Sequence, residues 1–184
     1  ESIEVRKGST QIKHGPFTTG GSLNYISTSI PTSKLNSVSL DIGSFGKRLM
    51  QVRSGDSMGN FAYLIELYSD KMDGFKELDG GGDTGYDKTD FMTKLRYSFS
   101  ESHAFEFKYS MTDELSDETY LGLTDADYSD NPLRRYRATA LDEMDADHSQ
   151  VMLSYAAKIN DNMSLAIVGY SNDFARNWYK LNKV

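Results

Sequence analysis

From Ser37 onward the sequence keeps a period of two residues, and that pattern constrains the fold more than any single motif. Val38, Leu40 and Ile42 alternate with Ser39, Asp41 and Gly43. Phe61, Tyr63, Ile65 and Leu67 share one face, as do Phe91, Thr93, Leu95, Tyr97 and Phe99. The pattern returns at Phe105, Phe107, Tyr109 and Met111, and again at Val151, Leu153, Tyr155 and Ala157. Successive side chains of a strand point to opposite faces, so each run predicts a strand with one apolar side. A less regular run over 49–54 and another over 163–174, whose faces the pattern does not assign, bring the total to about seven strands. The prediction is an all-β chain.

The connections between the runs say how such strands are arranged. Residues 55–60, 100–103 and 158–162 are short and polar, whereas 70–87 and 112–147 are long. Short turns at one end and long loops at the other are the mark of an up-and-down meander through an outer membrane. A soluble β-sandwich also alternates apolar and polar residues. The faces opposite the apolar runs carry Glu66, Lys94, Arg96, Glu106 and Lys108, which suit a wet barrel lumen. Facing lipid at mid-membrane, a Lys or Arg would cost roughly 2–4 kcal/mol. The 12 Tyr, 9 Phe and single Trp supply the aromatic residues that interfacial girdles use. No apolar run approaches the roughly 18 residues of a membrane helix. The absence of Cys removes disulfides, thiolate metal sites and cysteine nucleophiles. A net charge of -7 argues against nucleic acid as a partner.

The N-terminal stretch, residues 3–31, has a different character: IEVRKGSTQIKHGPFTTGGSLNYISTSIP is rich in glycine and ends on proline. Ile3, Glu4, Val5, Gly8, Gly15, Pro16, Gly20, Gly21, Asn24, Ile30 and Pro31 stand in the register of the plug end of TonB-dependent outer-membrane receptors, which this stretch resembles. His14 stands where that family has Tyr, and Ser27 where it has Thr. TYLGLTDADYSDNPLRRYRATALDEMDADH at 119–148 and GYSNDFARNWYKL at 169–181 are similar to the ferric citrate branch of the same family. The resemblance implies a partial transmembrane antiparallel β-barrel preceded by the C-terminal part of a plug domain, with residues 1–31 as the plug end and 32–184 as the first barrel strands. It implies a bacterial outer-membrane location, contact with outer-membrane lipid and lipopolysaccharide, and active uptake of a ferric siderophore or ferric citrate-type chelate. It also implies no enzymatic activity, no resident cofactor, and coupling to the TonB complex through a segment outside this chain. The chain starts inside a strand-like run and ends without a stop signal, which predicts an internal piece of a longer protein. Receptors of the same fold also serve cobalamin, other metal chelates and glycans. The alternative from another class is a soluble β-sandwich adhesin or carbohydrate-binding module.

Candidate site residues follow from the chemistry of an anionic chelate. Arg134, Arg135 and Arg137 form a basic cluster in a segment otherwise dominated by acids, and Arg176 lies in the last strand. Guanidinium forks recognise carboxylates in a bidentate way. The same arginines could instead pair with the acids of their own loop. Gly8, Gly15, Pro16, Gly20, Gly21 and Asn24 have a structural role in the plug motif, and Glu4, Arg6 and Lys7 are candidates to pair with Glu66, Lys94 or Arg96. The acidic segment lacks the residue order of a calcium loop. His14, His103 and His148 are far apart with no catalytic or metal-binding pattern. Gly80, Gly81 and Gly82 read as a loop tip, Lys47 and Arg48 as a turn flank, and Trp178 and Tyr179 as markers of the outer interface.

Overall fold

The computed structural model describes residues 2–8 and 20–182. The chain divides between Ile30 and Pro31 into two compact units. In the first, β1 (Ser2–Lys7) pairs antiparallel with β2 (Gly21–Ile26), Ser2 opposite Ile26 and Lys7 opposite Gly21. Gly8 N–H donates to the Gly20 carbonyl at 3.2 Å, continuing the ladder past the strands. Gly21 has φ +145°, and a Cβ there would stand 2.3 Å from the Arg6 carbonyl oxygen, so only glycine fits. Arg6 pairs with Glu4 at 3.3 Å, and the Asn24 amide donates to the same carboxylate at 3.4 Å. Gly15 and Pro16 lie outside the described residues, as does His14.

The second unit is built on one antiparallel sheet of seven strands. They are β3 (Leu35–Ile42), β4 (Arg48–Met58), β5 (Phe61–Met72), β7 (Tyr86–Ser100), β8 (His103–Ser116), β10 (Glu143–Asn160) and β11 (Met163–Tyr179). Spatial order follows chain order, so the sheet is a meander and its outermost strands, β3 and β11, are paired on one side only. At one end the turns are 59–60, 101–102 and 161–162; at the other the connections are 43–47, 73–85 and 117–142. The alternation expected from sequence is present, except that the first connection on the long-loop side is itself short. In that turn Phe45 takes a positive φ of 61°, and its carbonyl accepts from Asp73 N–H at 2.9 Å.

The strands run further into the long-loop end than the apolar pattern indicated. Asp113, Glu114, Glu143, Asp145 and Asp147, placed in a loop by the sequence reading, are strand residues. The ladder hydrogen bonds continue past the point where the alternation of apolar side chains stops. β10 has 18 residues and β11 has 17, against about 9–11 needed to cross a bilayer. The loop 73–85 holds β6 (Glu77–Leu78), and 117–142 holds α1 (Asp125–Asp130), β9 (Arg134–Arg135) and a 3-10 turn (Arg137–Thr139).

The distribution of exposure across the sheet is inverted relative to a water-soluble protein. Leu64 is 0% and Lys94 7% exposed on the face that also carries Glu66, Arg96 and Glu106, whereas Leu95 is 38% and Ile65 43% exposed on the other. The second face also presents Phe61, Tyr97, Phe99, Phe105, Val151 and Leu153, all exposed. Rings along it touch edge to face, Tyr97 with Phe99 at 5.1 Å and Phe99 with Phe105 at 5.5 Å. Water would expel such a surface, and hydrocarbon would accept it.

The apolar band also crosses the hydrogen-bond register on a diagonal. On β3 it centres on Leu40, which the pairing through Met50, Ser69, Thr89 and Asp113 sets level with Asp147 of β10. On β10 the band centres instead on Tyr155, which is 155 − 147 = 8 residues further along. Eight residues at about 3.3 Å, gained over five strand spacings of about 4.8 Å, give a strand tilt of about 45°. Tilted strands keep a level apolar belt only in this way.

Candidate functional site

Two loops meet on the long-loop side, and the sequence explains how. Thr124 caps α1: its hydroxyl accepts from Asp127 N–H at 3.2 Å and donates to the Asp127 carboxylate at 2.7 Å. Acids in the first turn, Asp125 and Asp127, favour the positive end of the helix. The helix stops at Asn131, ahead of Pro132, where the residue before proline resists helical geometry. The chain then turns to run parallel to β6, with Glu77 opposite Arg134 and Leu78 opposite Arg135.

Arg134 ties the loops together. Its Nε donates to both carboxylate oxygens of Asp79, at 3.0 and 3.1 Å, and Nη2 donates again at 3.0 Å. Its Nη1 reaches Asp127 at 2.6 Å, and the guanidinium lies 5.2 Å from the centre of the Tyr136 ring. Hydrogen bonds from Tyr136 and Thr124, with the Arg134 charge beside it, hold the Asp127 carboxyl below its usual range. The bond to Asp79 likewise raises Arg134. Asn131 adds a bond to Glu77 at 2.8 Å.

Arg135 is 3% exposed and works inside one loop. It donates to the Thr139 hydroxyl at 3.1 Å and to the carbonyls of Thr139 at 2.7 Å, Asp142 at 3.1 Å and Asp117. Burial raises Asp117 above the usual carboxylate range, and the Arg135 charge opposes that shift. Arg137 donates to the Gly81 carbonyl at 3.1 Å, at the loop tip where Gly80, Gly81 and Gly82 all have positive φ. Arg134, Arg135 and Arg137 are thus brought together, each with a partner in its own loop or the neighbouring one. Arg176 is apart from them on β11, opposite Ala146, and its side chain has no hydrogen bond or ion pair among the described residues.

The polar face of the sheet carries a ladder of ion pairs: Arg53 with Glu66 at 2.5 Å, Arg96 with Glu106 at 2.6 Å and Lys88 with Glu114 at 3.3 Å. Lys47, read from sequence as a turn flank, donates to Asp70 at 3.0 Å and to the Tyr86 hydroxyl at 2.9 Å, while Tyr68 donates to Asp70 at 3.1 Å. Trp178 corrects a second expectation. The register puts it on the same face as Arg176, against Tyr120 at 6.2 Å, and only Tyr179 points the other way. Asp79, Asp127 and Tyr136 were not singled out in the sequence. Thr124 three residues before Asp127 is a capping signal that could have found one of them. The others are joined by long-range contacts with no local pattern. Among the described residues no group of three or more His, Asp or Glu side chains could hold a metal ion.

The architecture defined by these elements is a partial barrel wall of tilted strands with one apolar face and joined loops at one end. The chain aligns with the siderophore receptor PiuA from Acinetobacter baumannii over 96% of its own length and 26% of that chain, with a TM-score of 0.76 and 13% identity. It aligns with the ferric citrate transporter FecA, in the unliganded form, over 96% of its own length and 27% of that chain, with a TM-score of 0.76 and 19% identity. The chain therefore spans about a quarter of the length of the structures it matches. No family model matches the sequence, and no curated protein does. The fold is that of part of a TonB-dependent receptor barrel, as the resemblance implied.

Proposed function

We propose that this chain is part of a bacterial outer-membrane receptor that takes up a ferric chelate, a siderophore or a citrate-type complex. In this reading residues 1–31 are the end of the plug and residues 32–184 are barrel strands. Transport is active and involves no covalent chemistry, with energy arriving from the TonB complex through the plug. The single observation that carries the reading is the inverted sheet. Its charged face holds the buried Leu64 and Lys94, its aromatic face is open, and the open band is tilted as a bilayer demands. The names of the two structural neighbours point to iron as cargo. A soluble adhesin or carbohydrate-binding sandwich would pair two sheets of comparable size, whereas the other sheets among the described residues have two strands each.

Within the site, Arg134 and Arg135 hold the loops in place, while Arg137 and Arg176 are the guanidinium groups with donors to spare for an anion. Lipid and lipopolysaccharide contact the open aromatic face. The test is growth of iron-starved cells lacking other iron receptors, with the intact receptor supplied and one ferric chelate at a time as iron source. Growth that requires TonB is expected. Failure on every ferric chelate, together with uptake of cobalamin or a glycan, would refute the assignment.

A further inference from the structure

The turn between β3 and β4 is built on a residue that does not suit it. Lys47 N–H donates to the Ser44 carbonyl at 3.2 Å, which closes a four-residue turn, and both central residues are left-handed, Phe45 at φ 61° and Gly46 at φ 68°. Two left-handed positions in succession are the pattern of the hairpin turn that favours Asn-Gly, because its twist matches that of the strands it joins. Gly46 fits that place. Phe45 does not, since a side chain crowds the backbone there, and among the described residues it is the only one other than glycine with a positive φ. Strain of this kind persists only where the surroundings hold it.

The loop 73–85 holds it. Asp73 N–H donates to the Phe45 carbonyl at 2.9 Å, and the Phe45 ring meets that of Phe75 edge to face with centres 6.4 Å apart. Gly46 lies so close to Asp73 that a Cβ there would stand 2.0 Å from its carboxylate. The Asp73 carbonyl in turn accepts from Thr84 N–H at 3.1 Å, so the residue that grips the turn also closes the base of the loop. Lys47 fastens the far end of the turn to Asp70 and Tyr86 on the strands that carry the loop. Phe45 is 54% and Phe75 48% exposed, so no core encloses either ring. Contact with the loop is what keeps Phe45 left-handed.

We propose that turn 44–47 and loop 73–85 form a strained latch with two states. In the closed state the loop engages the carbonyl and the ring of Phe45 and imposes the left-handed conformation. In the open state the base of the loop has moved away and Phe45 has returned to a negative φ. Docking therefore stores strain in the turn, and the stored strain favours release, so the loop is set close to opening. Because β6 in this loop pairs with β9, the latch also bears on loop 117–142. The device does not depend on what the chain binds or carries.

The test is amide hydrogen exchange in the intact protein, with Gly43 and Lys47 N–H reporting on the turn and Asp73 and Thr84 N–H on the base of the loop. Phe75→Ala removes the ring partner and none of these four bonds. Protection at all four should fall together, by about two- to tenfold. Adding Phe45→Asn to that variant then takes away only the strain, since the ring contact is already lost, and protection should recover by at least about threefold. A ring pair that merely packs predicts the opposite order, with the second loss adding to the first. Unchanged exchange at Gly43 and Lys47 in Phe75→Ala would show that loop and turn are not coupled and would overturn the latch. A double variant no better protected than Phe75→Ala would show that Phe45 stores no strain, which also overturns it. Amides in the middle of β4 and β5 should keep their protection throughout; a matching fall there would mean that the turn opens with the sheet and is no separate device.

Discussion

Removing the Arg135 side chain should open one loop and leave the barrel intact. Arg135 gives four hydrogen bonds to the Thr139 hydroxyl and to the carbonyls of Asp117, Thr139 and Asp142, and only 3% of it is exposed. A bond from a charged donor contributes about 1.5–3 kcal/mol, but bonds from one group do not add, and water entering after truncation re-solvates some of the acceptors. A cost of about 3 kcal/mol for Arg135→Ala is therefore reasonable, and at 1.4 kcal/mol per factor of ten it raises the open population of the loop roughly a hundredfold. The readout is amide hydrogen exchange in the intact protein. Thr139 N–H bonded to Tyr136, Ala140 to Arg137, Asp142 to Thr139 and Asp117 to Gly85 are the reporters. Their exchange should accelerate by that factor, while amides in the middle of β7 and β8 stay as slow as before. Arg135→Lys should fall between, since an ammonium has three donors and no planar fork. Unchanged exchange would show that the bonds are not what closes the loop. Equal acceleration throughout the sheet would show that the loop and the wall unfold together, and either result would refute the reasoning.

Four further outcomes follow from the geometry. The folded-state pKa of Asp127 is lowered from 3.8, so its contribution is complete above that value and is lost as pH falls through the lower folded value. Protection of Asn131 N–H, bonded to Asp127, taken relative to the intrinsic exchange rate at each pH, should stay constant from pH 7 to about 4 and fall only below 3.8, and Asp127→Asn should flatten that profile. Asp117, raised from 3.8, has the opposite sign, so loop stability should decrease as pH rises from 3.8 through its folded value; Asp117→Asn should remove that slope. Gly85→Ala would place a Cβ 1.7 Å from the Met72 carbonyl oxygen, and a backbone shift costing about 1–3 kcal/mol or more should appear as faster exchange at Thr84 and Asp117. Labels at Leu40 and Tyr155 should report equal depth against brominated lipids, while labels at Leu40 and Asp147, on one hydrogen-bond row, should differ by about 18 Å. Equal depth along the row would refute the tilt.

How much of this was legible in the sequence depends on the range of the interaction. The faces of β5, β7, β8 and β10 could be read, because burial on one side forces alternation within a strand and needs no knowledge of the neighbours. The faces of β11 could not. Its pattern reverses partway along, and only the pairing of Arg176 with Ala146 and Ile167 with Tyr155 shows which side is which. Strand ends were missed for a similar reason: Asp113 and Asp147 are direct partners on adjacent strands, and nothing local marks two acids as sheet residues. The basic cluster at Arg134, Arg135 and Arg137 stood out by charge, but Asp79 and Gly81 are more than fifty positions away in the chain. Sequence could name those arginines and could not divide them between holding the loops and facing a ligand.

That division has a physical basis in burial. A guanidinium that is to meet an anion from solution must keep its donors free or weakly held, because breaking a good bond to make another gains nothing. Arg134 has Asp79 on one edge and Asp127 on the other, and Arg135 spends its donors on four acceptors in a dry site. Neither can turn to a ligand without loosening the loops. Arg137 has one carbonyl partner and Arg176 none among the described residues. On the proposed reading, a wall that keeps its loops fixed through two arginines and leaves a third with its side chain unengaged would bind by preformed complementarity. The ordering cost of the loops would then be met when the protein folds and not each time a ligand arrives.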